Sequence, residues 1–206
     1  MTVTRRSDWP EPAARDSGGP PSSRAGEGPP RIPRDPVERA RAICLRLLTG
    51  TPRTRGELAT ALRAREVPES AITEVLARFE EVGLIDDGAF ADAWVESRHH
   101  GRGLAGRALA RELRAKGVAA DLIEEAVGRL DPEREEATAR ALVERRLRAT
   151  RGVPKDRRMR RLAAMLARRG YAEEVSLRVI RQALADEAEA GPDAPWPGEA
   201  EPSGDL

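Results

Sequence analysis

The sequence predicts an all-α protein built from three tandem three-helix units, and three observations predict it. Apolar residues recur at helical spacing through the middle of the chain, with no run alternating in period two and no hairpin dipeptide. The four prolines of that region (Pro52, Pro68, Pro132, Pro154) all fall at breaks in the pattern, where a helix tolerates them. A motif then repeats: Leu62-Arg-Ala-Arg-Glu-Val67, Leu113-Arg-Ala-Lys-Gly-Val118 and Leu166-Ala-Arg-Arg-Gly-Tyr171, with leading leucines 51 and 53 residues apart.

In order along the chain, Asp35-Pro36-Val37-Glu38 offers an N-cap, a proline at the first helical position and a capping acid. Ala40, Ile43, Cys44, Leu47 and Leu48 then form one apolar stripe. Thr54-Arg55-Gly56-Glu57 is a second capping box, opening a helix that carries Leu58, Ala61 and Leu62 on one face. A third helix runs from about Pro68 through Ile72, Val75, Leu76, Phe79 and Val82, and Gly83 stops it. Leu58, Leu109 and Leu162 each precede an anchor leucine by four residues, while Val75-Leu76, Ala126-Val127 and Val179-Ile180 match in the third helices. Asp35, Asp86 and Asp131 are placed to cap the first helix of each unit. They precede their anchors by 27, 27 and 35 residues, so the third unit's first helix, or the link after it, is expected to gain about two turns.

These boundaries give units over 35–84, 85–130 and 131–187. Helices of roughly 12–18 residues are marginal alone and need packing within and between units. A shallow, elongated array, open to curvature, is the expected shape, and a monomer the expected state. Residues 1–34 hold seven of the 16 prolines and almost no large aliphatics, and the tail 188–206 is acidic, so both are expected to be disordered.

Composition excludes whole classes. Aromatic residues make up only 3%, so the core is aliphatic. No apolar run approaches the roughly 20 residues of a membrane span, and MTVTRRSDWPEP lacks a secretory apolar core, so a cytoplasmic protein is expected. One cysteine excludes a disulfide framework or Cys-based zinc cluster, and two adjacent histidines make His-dependent catalysis improbable. Neither a Walker A pattern nor a GxGxxG opens any helix. No catalytic set, metal site or cofactor is expected. Asp86 and Asp87 read as helix-capping acids, His99-His100 as a fraying helix end, and Cys44 as core. Phe79, Phe90, Trp94 and Tyr171 occupy apolar helical positions and read as core too, which argues against a base-stacking platform.

Charge segregation is more informative than the net charge of +1. From Arg98 to Lys116 there are six bases (Arg98, Arg102, Arg107, Arg111, Arg114, Lys116) against Glu112. From Arg145 to Arg169 there are eleven against Asp156, whereas 66–92 holds eight acids against Arg78. Arg107, Arg111 and Arg114 share a helical stripe opposite Leu109 and Leu113. Arg157, Arg161 and Arg168 do the same opposite Met159, Leu162 and Leu166, with Arg158 and Arg169 alongside. The apolar positions recur between units but the basic ones do not recur in register, so the fold does not demand these arginines. Such a face is either the solvated surface of an Arg-rich chain or a surface for phosphates or an acidic protein.

Gly83-Leu-Ile-Asp-Asp-Gly-Ala-Phe-Ala-Asp-Ala-Trp94, ending in Arg98, resembles the signature of the bacterial RecX regulatory proteins. So do Arg53-Thr-Arg-Gly-Glu-Leu58, Gly106-Arg107 leading to Glu112-Leu113-Arg-Ala-Lys-Gly117, and Arg168-Arg-Gly-Tyr171. The resemblance covers about 37–187, with Glu66 standing where the family often has glycine and Tyr171 where it often has phenylalanine. It implies a non-enzymatic modulator of RecA, a helical-repeat protein lodged in the groove of the RecA–DNA filament. It further implies blocked filament extension and lowered ATPase, strand-exchange and co-protease activity. The family motifs do not single out the arginine stripes; their candidacy for contact with the filament or with single- or double-stranded DNA rests on periodicity and charge. Two alternatives stand beside it. One is a winged-helix transcription regulator, since 54–87 reads like two helices before a wing; the other is a helical-repeat scaffold that binds only protein.

Overall fold

The computed structural model describes residues 35–190, and among them every regular element is a helix. The first repeat comprises α1 (Pro36–Gly50), α2 (Arg55–Arg63) and α3 (Glu69–Glu81). The second comprises α4 (Asp87–Arg102), α5 (Gly106–Ala115) and α6 (Ala120–Gly128). The third comprises α7 (Pro132–Arg148), α8 (Lys155–Arg168) and α9 (Glu173–Ala190). The expectations for 1–34 and 191–206 lie outside the described residues.

Each repeat has its own aliphatic core, because short helices with one apolar face bury it best against their neighbours in sequence. The six leucines of the repeat motif (58, 62, 109, 113, 162, 166) are all fully buried. Ile85 closes the first core, and Ala105 packs into the third, so each junction borrows one residue from the adjoining segment. The caps sit where the sequence puts them: Asp35 accepts from Val37 N, Asp86 from Ala89 N and Asp131 from Glu133 N. Thr54 and Glu57 form the reciprocal capping box.

Several expectations about the elements need correction. The third unit's extra residues lie partly in the link after its first helix, as expected, and partly in its middle helix, which was not: α8 starts eleven residues before Leu166, whereas α5 starts seven before Leu113. Several helices are shorter than 12 residues, α2 and α6 having nine, because tertiary packing stabilises them. The third unit extends to Ala190, three residues past 187, since Ala and Glu are good helix formers and Gln182 bonds Asp186 one turn on. The winged-helix alternative fails because the residues after Asp86 form α4 and no strand occurs among the described residues.

The repeats are joined by one arrangement used twice. The N-cap residue of a middle helix donates to the carbonyl of the C-cap residue of the next middle helix. Thr54 Oγ1 reaches Lys116 O at 2.5 Å, and Ala105 N reaches Arg169 O at 2.9 Å. The following glycine, Gly117 or Gly170, is left-handed (φ 78° and 91°) and lies against the start of the earlier middle helix. A Cβ on Gly117 would come within 2.9 Å of Gly56 Cα, and one on Gly170 within 2.7 Å of Ala108 Cβ. A carboxylate from the next repeat's first helix completes the joint: Asp87 Oδ1 accepts from Arg55 N, and Glu135 Oε1 from Gly106 N, both at 2.9 Å. These amides are first-turn donors with no partner inside their own helices. Asp87 therefore caps α2 across the joint rather than its own helix. Burial raises its pKa, and nearby Glu80 and Asp86 add to the shift, while the Arg55 amide and charge oppose it.

The second joint carries two further bonds. His99 is buried, with Nδ1 2.9 Å from Leu104 O and Nε2 3.1 Å from Thr138 Oγ1 of α7. It is a structural pin, not a fraying end: α4 closes at left-handed Gly103, whose amide bonds back to His99 O. Tyr171 is buried and its hydroxyl donates to Gly103 O at 3.2 Å, so the phenol in place of a phenylalanine gains a partner across the joint. Burial, with Glu135 nearby, pushes its pKa up to about 12, so the phenol stays a donor.

Candidate nucleic-acid and partner interface

The arginine stripes lie where helical geometry puts them. Arg107, Arg111 and Arg114 are exposed on α5 and Arg157, Arg161 and Arg168 on α8, while the leucines opposite are buried. None of these six, nor exposed Arg102, has an ion-pair partner among the described residues.

The other four predicted residues sit differently. Arg98 and Lys116 flank the half-buried Trp94 ring, at 4.1 and 4.3 Å from its centroid. Phe90 stacks on Trp94 at 5.6 Å, and Trp94 Nε1 donates to Glu112 at 2.8 Å. Lys116 Nζ also reaches Glu57 of the first repeat at 2.7 Å. This cation–π and ion-pair cluster holds the first joint, with Phe90 and Trp94 half-buried and packed against the edge of the second core rather than inside it. Arg158 is likewise engaged, bonding Glu187 at 2.6 Å, Thr150 Oγ1 and Leu147 O at the α7–α8 turn. Arg169 is partly buried beside the second joint.

Two grooves run on either side of α8. One, of about 950 Å³, lies between α5 and the third repeat: Arg107, Arg111 and Arg114 face Glu135 and Glu173 across a floor that includes Ala110 and Ala167. The other, of about 760 Å³, lies between α7 and α8 and is lined by Arg145, Arg146, Arg161, Arg168 and Arg169 with no acid. Arg145 and Arg169 also line an adjoining hollow that contains Arg102. The structure thus divides the predicted residues into an α5 set and an α8 set, and places Arg157 in neither groove. Arg145 and Arg146 were not singled out from sequence. Their signal was the basic last turn of α7, which ordinary helix-dipole compensation also explains.

Among the described residues no group of three or more His, Cys, Asp or Glu is placed to hold a metal ion, and no helix is long and apolar enough to cross a membrane. Fold and surface together define a tandem three-helix-repeat protein whose later repeats carry unpaired arginines around grooves. The chain matches the family models for the RecX first three-helix domain over 40–79, the second over 86–127 and the third over 133–180. It is 71% identical to the regulatory protein RecX of Streptomyces coelicolor over 87% of this chain and 94% of the relative. It is 56% identical to that of Thermobifida fusca over 86% and 93%. The crystal structure of RecX from Lactobacillus salivarius shares the fold, with a TM-score of 0.68 and 17% identity over 73% of this chain and 97% of that one. The chain belongs to the RecX family of regulatory proteins.

Proposed function

We propose that this chain is a non-enzymatic regulator that binds the RecA–DNA filament, limits its extension and inhibits recombinase, ATPase and co-protease activity, and so modulates DNA repair, recombination and the SOS response. The observation that carries the reading is the set of arginines without ion-pair partners on two adjacent repeats, in a chain whose relatives are named regulatory proteins. Arginine forks suit phosphate oxygens, which favours direct, salt-dependent contact with single- or double-stranded DNA. On the first repeat Glu69, Glu80 and Glu81 pair with Arg63, Arg55 and Arg78, while exposed Glu66 and Glu74 have no ion-pair partner among the described residues and suit a protein partner with basic patches, such as the recombinase. The reading is of a cytoplasmic monomer that needs no cofactor.

RecA ATPase on single-stranded DNA, titrated with this protein, tests it. Inhibition well below one protein per RecA is expected. No inhibition at excess, under conditions where the filament forms, defeats the reading and returns the chain to the protein-only scaffold alternative.

A further inference from the structure

The two joints share one pattern of bonds but differ at the side chain of the C-cap residue. Lys116 and Arg169 are equivalent C-cap residues, and each gives its carbonyl to the preceding repeat. In the first joint the Lys116 side chain is neutralised by Glu57 and flanks the Trp94 ring. In the second, the residue equivalent to Glu57 is Ala108, against which Gly170 packs. Arg169 therefore lacks the carboxylate that the architecture supplies to its counterpart, and its Nε is buried with no hydrogen-bond partner. Arg53 Nε in the first repeat is buried and unpaired too, so what sets Arg169 apart is its place in the lining of a cleft of other arginines.

Its surroundings say which acceptor. Arg169 lines the α7–α8 cleft with Arg145, Arg146, Arg161 and Arg168, and the hollow continuing from it adds Arg102. Neither lining includes an acid, and the α7–α8 cleft has no aromatic ring, while the hollow adds His100 beside Arg102. The Thr150 hydroxyl is already used, donating to Leu147 O and accepting from Arg158 Nε. The cleft thus offers many cationic donors, no stacking surface and no free side-chain acceptor for a base edge. That chemistry fits phosphate oxygens. The α5 groove differs, because Glu135 and Glu173 oppose its arginines.

We propose that the α7–α8 arginine cleft, with Arg169 in its lining, is a binding site for the backbone phosphates of DNA. This deepens the filament reading by placing the phosphate contact on the third repeat, and it rests on that reading only for its biological setting.

The test uses the full chain and a fluorescein-labelled 30-nucleotide oligo(dT), with anisotropy followed from low to moderate salt. Arg145→Gln/Arg161→Gln/Arg168→Gln changes three exposed side chains, so the fold is retained, as circular dichroism will verify. The expected result is a loss of about 2 from the magnitude of the log–log salt slope, roughly 0.7 per phosphate contact, and at least a tenfold loss of affinity at low salt. An unchanged slope and affinity in this variant overturns the proposal, as does absence of measurable binding by the unmodified protein at low salt. The RecA ATPase titration separates the two readings. Inhibition by the unmodified protein together with an unaltered DNA slope in the variant leaves the regulatory reading and removes the cleft. DNA binding lost in the variant, in a protein that never inhibits RecA, keeps the cleft and removes the regulatory reading.

Discussion

At the scale of single residues, Glu66 and Gly170 show how one position in the repeat answers to different constraints. Both follow a middle helix in left-handed conformation, with φ of 57° at Glu66 and 91° at Gly170. Gly170 faces the backbone of Ala108, whereas Glu66 belongs to the first repeat, is exposed and meets no earlier repeat among the described residues. Only the φ penalty therefore applies at Glu66, and Glu66→Gly is expected to stabilise the protein by about 0.5–1 kcal/mol in urea unfolding. Gly170→Ala carries the φ penalty and an overlap with main chain that cannot move aside. It is expected to destabilise by on the order of 2–3 kcal/mol, and a loss below 0.5 kcal/mol would contradict this account of the joint. Cys44 is inert by the same local logic: it is fully buried, and burial pushes its thiol up to about 11, far from the thiolate that reacts.

At the scale of the helix, the notable feature is that a middle helix is capped by the repeat that follows it. Asp87 gives a carboxylate oxygen to the first amide of α2, yet its folded pKa is raised, chiefly by burial. For an acid shifted upward, the stabilising contribution is complete below its unfolded value, near 3.8, and is lost as pH climbs through the folded value. Asp87→Asn keeps an oxygen to accept from Arg55 N and removes the ionisation. The variant is expected to match the parent below pH 4 and to gain on it as pH rises toward neutrality, read as the difference in thermal midpoint. A difference that shrinks with rising pH would show that the ionised carboxylate helps the cap more than its burial costs. The capping boxes and the leucine anchors were legible in sequence because they obey local spacing. Asp87's real partner was not, since Arg55 lies 32 residues away and only the packed joint brings it near.

At the scale of the molecule, arginines without ion-pair partners among the described residues line the grooves of the second and third repeats, whereas acids and bases balance on the first. The tail beyond Ala190 adds Asp193, Glu199, Glu201 and Asp205 and no base. It follows α9, whose Glu187 already pairs with Arg151 and Arg158. That acidic segment is expected to compete with DNA for the arginines, so a chain ending at Ala190 should bind the labelled oligonucleotide more tightly than the full chain. The gap should close as salt screens the competition. Equal affinity of the two chains at low salt would remove the tail from the account.

What the sequence by itself determined was the fold class, the number of repeats, most caps, the buried leucines and the exposed arginine stripes. All of these follow from periodicity, which is a property of the chain read a few residues at a time. Tertiary structure alone decided which cations are free. Arg98, Lys116 and Arg158 look like the other bases in sequence, but their neighbours in space are Trp94, Glu112, Glu57 and Glu187. It also decided that Arg145 and Arg146 of α7 face Arg161, Arg168 and Arg169 across one cleft. The physical reason is the range of the interaction: helix formation and amphipathic burial are set by residues three and four apart. The pairing of a charge is set by whatever the packed repeats bring within a few ångströms of it.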